Sequence, residues 1–124
     1  MELPMKYTES MRNLLREEYE SYLETYDKPV RLGLRINQKK VSEEEWEKIS
    51  PFSVEKVPWI PNGYYYKEEE KPSRHPYYYA GLYYLQEPSA MTPASRLPVE
   101  EGDIVLDLCA APGGKATELG ARLK

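Results

Sequence analysis

Residues 104–115 read Ile-Val-Leu-Asp-Leu-Cys-Ala-Ala-Pro-Gly-Gly-Lys. Ile104 to Leu108 is a short, nearly all-apolar run, as expected of a strand buried on both faces of a parallel sheet. Gly113-Gly114 makes a turn, and Lys115 to Leu123 begins a helix. Strand, acidic residue, glycine-rich turn and helix together open a ligand-binding α/β sheet, whose ligands lie beyond the carboxyl ends of the strands. The glycines remove Cβ atoms that would hold a ligand off the backbone, and they permit positive φ. The amides opening the next helix favour a carboxylate or a phosphate.

Spacing excludes two common ligand loops. A phosphate-cradling P-loop needs glycine where Cys109 stands and Ser or Thr where Ala116 stands. The dinucleotide fingerprint needs separated glycines, whereas Gly113 and Gly114 are adjacent. An acidic residue at the strand end suits a cationic ammonium and Lys115 suits a carboxylate, and S-adenosylmethionine carries both. From spacing alone, that ligand and a loop of some other α/β protein both stay open.

Upstream, residues 8–26 place Met11, Leu14, Leu15, Tyr19, Tyr22, Leu23 and Tyr26 at helical spacing, as one helix or two with a bend near Arg16. Asp27-Lys28-Pro29 stops it. Val30 to Asn37 alternates as a half-buried strand, with Val30, Leu32, Leu34 and Ile36 on one face and Arg31 and Arg35 on the other. Ser42 and Glu45 form a capping box for a helix ending before Pro51, with Val41 stapled to Trp46. Val54–Ile60 and Gly63–Tyr66 read as strands joined at Pro61-Asn62-Gly63. Strand, helix, strand, strand suggests a small ferredoxin-like or RNA-recognition-motif-like unit. Residues 68–76 read as a loop, 77–91 as aromatic-rich with Pro88 limiting any helix, and 93–102 as a connector.

At 124 residues, 40% hydrophobic and 31% charged, the chain has an ordinary globular composition, with no apolar run of the roughly 20 residues that span a bilayer. Met1 to Lys6 lacks the basic-then-apolar pattern expected of a signal peptide, and a single cysteine fits a reducing cytoplasm. The net charge of −4 argues against holding nucleic acid by charge alone, although Arg31, Arg35, Lys39 and Lys40 form a local basic stretch. Twelve tyrosines invite base stacking, but consecutive strand tyrosines alternate faces, so about half belong to the core. His75 sits alone in a polar loop, and without a Cys/His cluster no metal is expected.

Three landmarks in order resemble the Nol/Nop/Sun family of RNA (cytosine-5) methyltransferases: Leu34-Arg-Ile-Asn37, Gly81-Leu-Tyr-Tyr-Leu-Gln-Glu-Pro-Ser-Ala-Met91, and Asp107 to Lys115. They cover roughly residues 30–120, and the bacterial ribosomal-RNA members of the RsmF type fit the N-terminal helices best. The resemblance implies an α/β fold. A helical and recognition-motif-like RNA-binding region over 1–97 would be followed, over 98–124, by the first strand, turn and helix of a Rossmann-like methyltransferase domain. It implies S-adenosyl-L-methionine as cofactor, bound by Asp107, Cys109, Ala110, Ala111, Pro112, Gly113, Gly114 and Lys115. RNA, above all ribosomal RNA, is the implied partner, with neither membrane nor metal. Arg35 and Asn37 are candidates either for RNA contact or for the seam to the catalytic domain, and Gln86, Glu87 and Ser89 for that domain junction.

By the same resemblance a cysteine thiolate attacks C6 of a cytosine presented unstacked, and C5 takes the methyl group. The family's cysteines stand in Pro-Cys-Ser and Thr-Cys-Ser, which do not occur here, so no catalytic residue is assigned and the nucleophile is expected beyond Lys124. Cys109 is expected to line the cofactor pocket. The chain is therefore read as an N-terminal fragment, inactive alone and weak in cofactor binding. Residues 103–124 are expected to be weakly ordered, packed on the N-terminal region, or self-associated. A non-catalytic RNA-binding module and a transfer-RNA methyltransferase are the competing readings.

Overall fold

The computed structural model describes residues 3–123. Contacts divide the chain into two compact units, residues 1–30 and 31–124.

In the first unit, α1 (Met5–Leu15) and α2 (Tyr19–Leu23) flank a 3₁₀ turn at Arg16–Glu18, and a second 3₁₀ turn runs Glu24–Asp27. Of the two readings left open for residues 8–26, the structure takes the one with a bend near Arg16, where φ is 47°. The apolar stripe is looser than its spacing implies: Tyr19 is buried under the Arg12 guanidinium, but Leu14 is 72% exposed. The Tyr7, Tyr22 and Tyr26 hydroxyls bond to one another.

The second unit is built on a four-stranded antiparallel sheet of order β2-β3-β1-β4: β1 Leu32–Ile36, β2 Glu55–Lys56, β3 Gly63–Tyr66 and β4 Tyr83–Leu85. Between β1 and β2 lies α3 (Glu43–Ile49), and between β3 and β4 lies α4 (Pro76–Tyr79). The capping box at Ser42 forms as expected, with Glu45 N donating to Ser42 Oγ at 3.2 Å and Ser42 N to Glu45 Oε2 at 2.9 Å. The Ser42 amide and hydroxyl hold the Glu45 carboxyl below its usual range.

Leu34, Ile36, Tyr64 and Tyr83 point to one face, where they enclose Val41 and a fully buried Trp46, with Phe52 and Tyr77 packed alongside. Burying an aromatic of 150–250 Å² contributes about 5 kcal/mol gross, which makes Trp46 the main anchor of that face. Burial also makes deprotonation of Tyr64 and Tyr83 harder, pushing each hydroxyl up to about 12.

The opposite face is covered too, against the expectation of a half-buried strand. Val57, Ile60 and Met91 form a second buried cluster on that side, with Tyr65 against it. A Cβ at Gly33 would stand 2.6 Å from Gln86 O and 2.9 Å from Met91 Cε, and one at Gly63 would lie 3.1 Å from Met91 Sδ. Met91 thus lies flat on the sheet because glycine stands at both positions beneath it.

Other expectations are corrected. Only Glu55–Lys56 of the expected strand at 54–60 joins the sheet, because Pro58 has no amide to donate and Val57–Ile60 turns instead. Val30 is 81% exposed and precedes the strand. The supposed connector 93–102 begins with α5 (Thr92–Arg96), which follows a 3₁₀ turn at Ser89–Met91. Ile104 to Leu108 is not a strand. It is irregular, with Ile104, Leu106 and Leu108 at 101%, 79% and 85% exposure, because the parallel neighbours its pattern calls for are absent among the described residues. Beyond it, α6 (Gly114–Arg122) packs against α5 and the covered face of the sheet, one of the outcomes expected for residues 103–124.

Candidate cofactor-binding site

The turn from Asp107 to Lys115 ends at the N-terminus of α6. Asp107 Oδ1 accepts from the Cys109 amide at 2.9 Å, closing a tight bend. Its Oδ2 is buried and has no hydrogen-bond partner. A buried oxygen without a donor costs about 1–3 kcal/mol, so this carboxylate suits a ligand that brings one. Cys109 is free and exposed, as are Ala110, Ala111 and Pro112. Asp107, Cys109 and Lys115 border a cavity of about 320 Å³ whose other walls include Ala94, Leu97 and Leu106. That volume lies at the low end of small-molecule sites.

The two glycines do different work. Gly113 caps α6 at φ 111°, with no atom nearer than 3.8 Å to a Cβ built there. That conformation favours glycine. Gly114 is buried in helical geometry, and a Cβ on it would meet Gln86 Nε2 at 2.6 Å. It makes room for the sheet, not for a ligand.

Arg35 joins this turn to the sheet. It is 3% exposed, and Nε pairs with Glu118 Oε2 at 2.7 Å. Nη1 donates to Gly114 O at 2.8 Å and to Gln86 Oε1, and Nη2 donates to Thr117 Oγ1 at 2.9 Å. Asn62 Nδ2 bridges Glu118 Oε2 at 3.2 Å and Ile36 O at 3.1 Å. Burial pulls the Arg35 guanidinium below its usual value, while Glu118 and the Tyr84 hydroxyl push back up.

The remaining candidates fall around this network. Asn37 is half-buried, its Nδ2 on Gly81 O at 3.3 Å and its Oδ1 accepting from the Lys39 amide. Gln86 Nε2 also donates to Ala90 O. Burial pushes the Glu87 carboxyl up, but hydrogen bonds from Ser89 and the Ala90 amide bring it below its usual range. His75 accepts from the Tyr77 amide and packs on Phe52 and Tyr77. Among the described residues no acidic, His or Cys group is placed to hold a metal, and no helix is long and apolar enough to cross a membrane.

Glu118, Thr117, Asn62 and Tyr84 escape sequence reasoning. A glutamate inside a short helix reads as solvated, and the one available signal is that Glu118 stands four residues after Gly114, on the same helix face.

Residues 3–88 match the N-terminal domain of 16S rRNA methyltransferase RsmF. The chain is 36% identical to ribosomal RNA small subunit methyltransferase F of Shewanella oneidensis over 76% of its own length and 21% of that protein. Against the Vibrio parahaemolyticus protein of the same name it is 31% identical, over 98% of this chain and 28% of the relative. It therefore spans about a quarter of these relatives. The crystal structure of a methyltransferase homologue from Pyrococcus horikoshii superposes with a TM-score of 0.79 at 30% identity, covering 96% of this chain and 40% of the other. A second solved chain, with TM-score 0.84 and 24% identity, speaks for the fold alone. The helices and antiparallel sheet are those of a methyltransferase N-terminal region, and the chain belongs to the RsmF family, through its N-terminal domain.

Proposed function

We propose that this chain is the N-terminal portion of an S-adenosylmethionine-dependent methyltransferase that forms 5-methylcytosine in small-subunit ribosomal RNA. The observation that carries the reading is the buried, partnerless Asp107 oxygen at the head of a turn whose glycine caps α6. Asp107 holds an ammonium or hydroxyl of the cofactor, Lys115 its carboxylate, and the walls at Ala94 and Leu97 face its apolar parts. Bound there, S-adenosylmethionine supplies the activated methyl group. Cys109 lines the site, and the nucleophilic cysteine belongs to sequence after Lys124.

The order β2-β3-β1-β4 with a helix after β1 and another after β3 supports a ferredoxin-like, RNA-recognition-motif-like unit within residues 1–97. Residues 98–124 are read as the opening of a Rossmann-like catalytic domain. Arg35, being buried, is assigned to the seam and not to RNA contact. The cytoplasm is the expected location.

The full-length protein, incubated with tritiated S-adenosylmethionine and either small ribosomal subunits, naked 16S RNA or transfer RNA, tests the reading. Label recovered as 5-methylcytidine from 16S RNA is expected. Label in transfer RNA would favour the competing substrate, and no label in any RNA would sink the enzyme reading.

A further inference from the structure

Three consecutive carbonyls of the glycine turn are tied down. Pro112 O accepts from the Tyr84 hydroxyl at 3.1 Å, and Gly114 O accepts from Arg35 Nη1 at 2.8 Å. Gly113 O accepts from the Thr117 hydroxyl at 2.7 Å, and that hydroxyl accepts from Arg35 Nη2 at 2.9 Å. In a trans peptide, the carbonyl of one residue and the amide of the next point in opposite directions. Side chains of the sheet thus hold carbonyls 112 and 114, while Thr117, itself held by Arg35, holds carbonyl 113 through its amide at 2.8 Å and its hydroxyl. The amides of Gly113, Gly114 and Lys115, opposed to these carbonyls, are fixed in direction at the N-terminus of α6.

Resting on the cofactor reading above, we infer that Arg35 is a positioning residue for S-adenosylmethionine: with Tyr84 and Thr117 it makes the sheet a template that aims the turn's amides at the cofactor. The covered face of the sheet is thereby committed to the cofactor turn, and RNA bases do not stack there. Tyr84 supports this, because its ring lies 5.6 Å from the Arg35 guanidinium carbon on that face. Adhesion of α6 alone needs no such arrangement, since apolar side chains of similar volume stabilise a buried contact as well as an ion pair does. What apolar side chains cannot do is hold carbonyls.

The test uses the full-length protein with Arg35→Met/Glu118→Met, which removes the pair while preserving volume. Tyr84→Phe and Thr117→Val each cut one tether and leave the ion pair intact. Calorimetry with S-adenosylmethionine should give a Kd raised about tenfold or more in the double variant and about three-fold in each single one. KM for the cofactor should rise more than kcat falls, because the loss is in binding. Affinity for small-subunit RNA should stay within about two-fold, since nothing on the RNA side has changed. If the double variant gives no cooperative melt, the two single variants decide. Cofactor affinity unchanged in every folded variant overturns the inference while leaving the function standing, as does an equal loss of RNA affinity. Wild-type protein that binds no S-adenosylmethionine overturns both.

Discussion

Arg35→Met alone is the sharpest perturbation of stability. It leaves the Glu118 carboxylate, 5% exposed, with Asn62 Nδ2 at 3.2 Å and without the guanidinium that neutralises it. It also strips a donor from Gly114 O and from Thr117. Removing one member of a buried pair costs about 3–5 kcal/mol, against about 5–15 kcal/mol for the whole of a typical domain. With a urea slope of about 2 kcal/mol per molar, the midpoint should fall by about 2 M. Adding Glu118→Met should recover most of that loss, leaving about 1–2 kcal/mol for the untied carbonyls. Urea titration of this chain, followed by tryptophan fluorescence, reads both variants, and the double-mutant cycle should give a coupling above about 2 kcal/mol. An Arg35→Met midpoint within about 0.5 M of wild type, or a coupling near zero, would refute the idea that the pair anchors α6.

Four further outcomes follow from the same structure. Gly33→Ala should destabilise by about 1–3 kcal/mol in urea titration, because its Cβ meets the unyielding Gln86 carbonyl at 2.6 Å; a neutral effect would show that the sheet and the 86–91 segment part readily. Ser42→Ala should cost about 1 kcal/mol through the lost cap of α3, and equal stability would mean that the capping box is idle. Tyr64 and Tyr83, with hydroxyls pushed from the usual 10 to about 12, stay neutral in the fold after they would ionise in the unfolded chain. Their contribution is complete below pH 10 and is lost as pH rises from 10 to about 12, by up to about 1.4 kcal/mol per pH unit per tyrosine. Tyr64→Phe/Tyr83→Phe should flatten the urea midpoint over that range, and an unaltered slope would contradict it. Cys109→Ser in the full-length protein should reduce kcat by no more than about ten-fold, whereas loss of a nucleophile costs about 10⁴-fold or more; a loss of that size would put the chemistry back on Cys109.

Much of this was legible in the sequence because local rules governed it. The Ser42 box, the Val41–Trp46 staple and the turn at 61–63 each depend on residues a few positions apart. What escaped depended on distance. Arg35 alternates with apolar residues and so reads as the wet side of a strand, yet a helix 79 residues later covers it. Gly33 and Gly63 have no local meaning until Met91 is laid across them. The run Ile104–Leu108 failed in the other direction, since its pattern describes a strand among parallel neighbours that the described residues do not supply. In the turn, composition assigned both glycines one task; only Gly113 has the positive φ, and Gly114 yields its space to Gln86.

The most direct check on the central claim is hydrogen exchange of the full-length protein with and without S-adenosylmethionine. Protection should rise in the peptide covering residues 107–118, centred on the amides of Gly113, Gly114 and Lys115, with the α3 segment unchanged. Saturating cofactor that leaves residues 107–118 exchanging at the free rate, or that protects another part of the chain instead, would contradict the account.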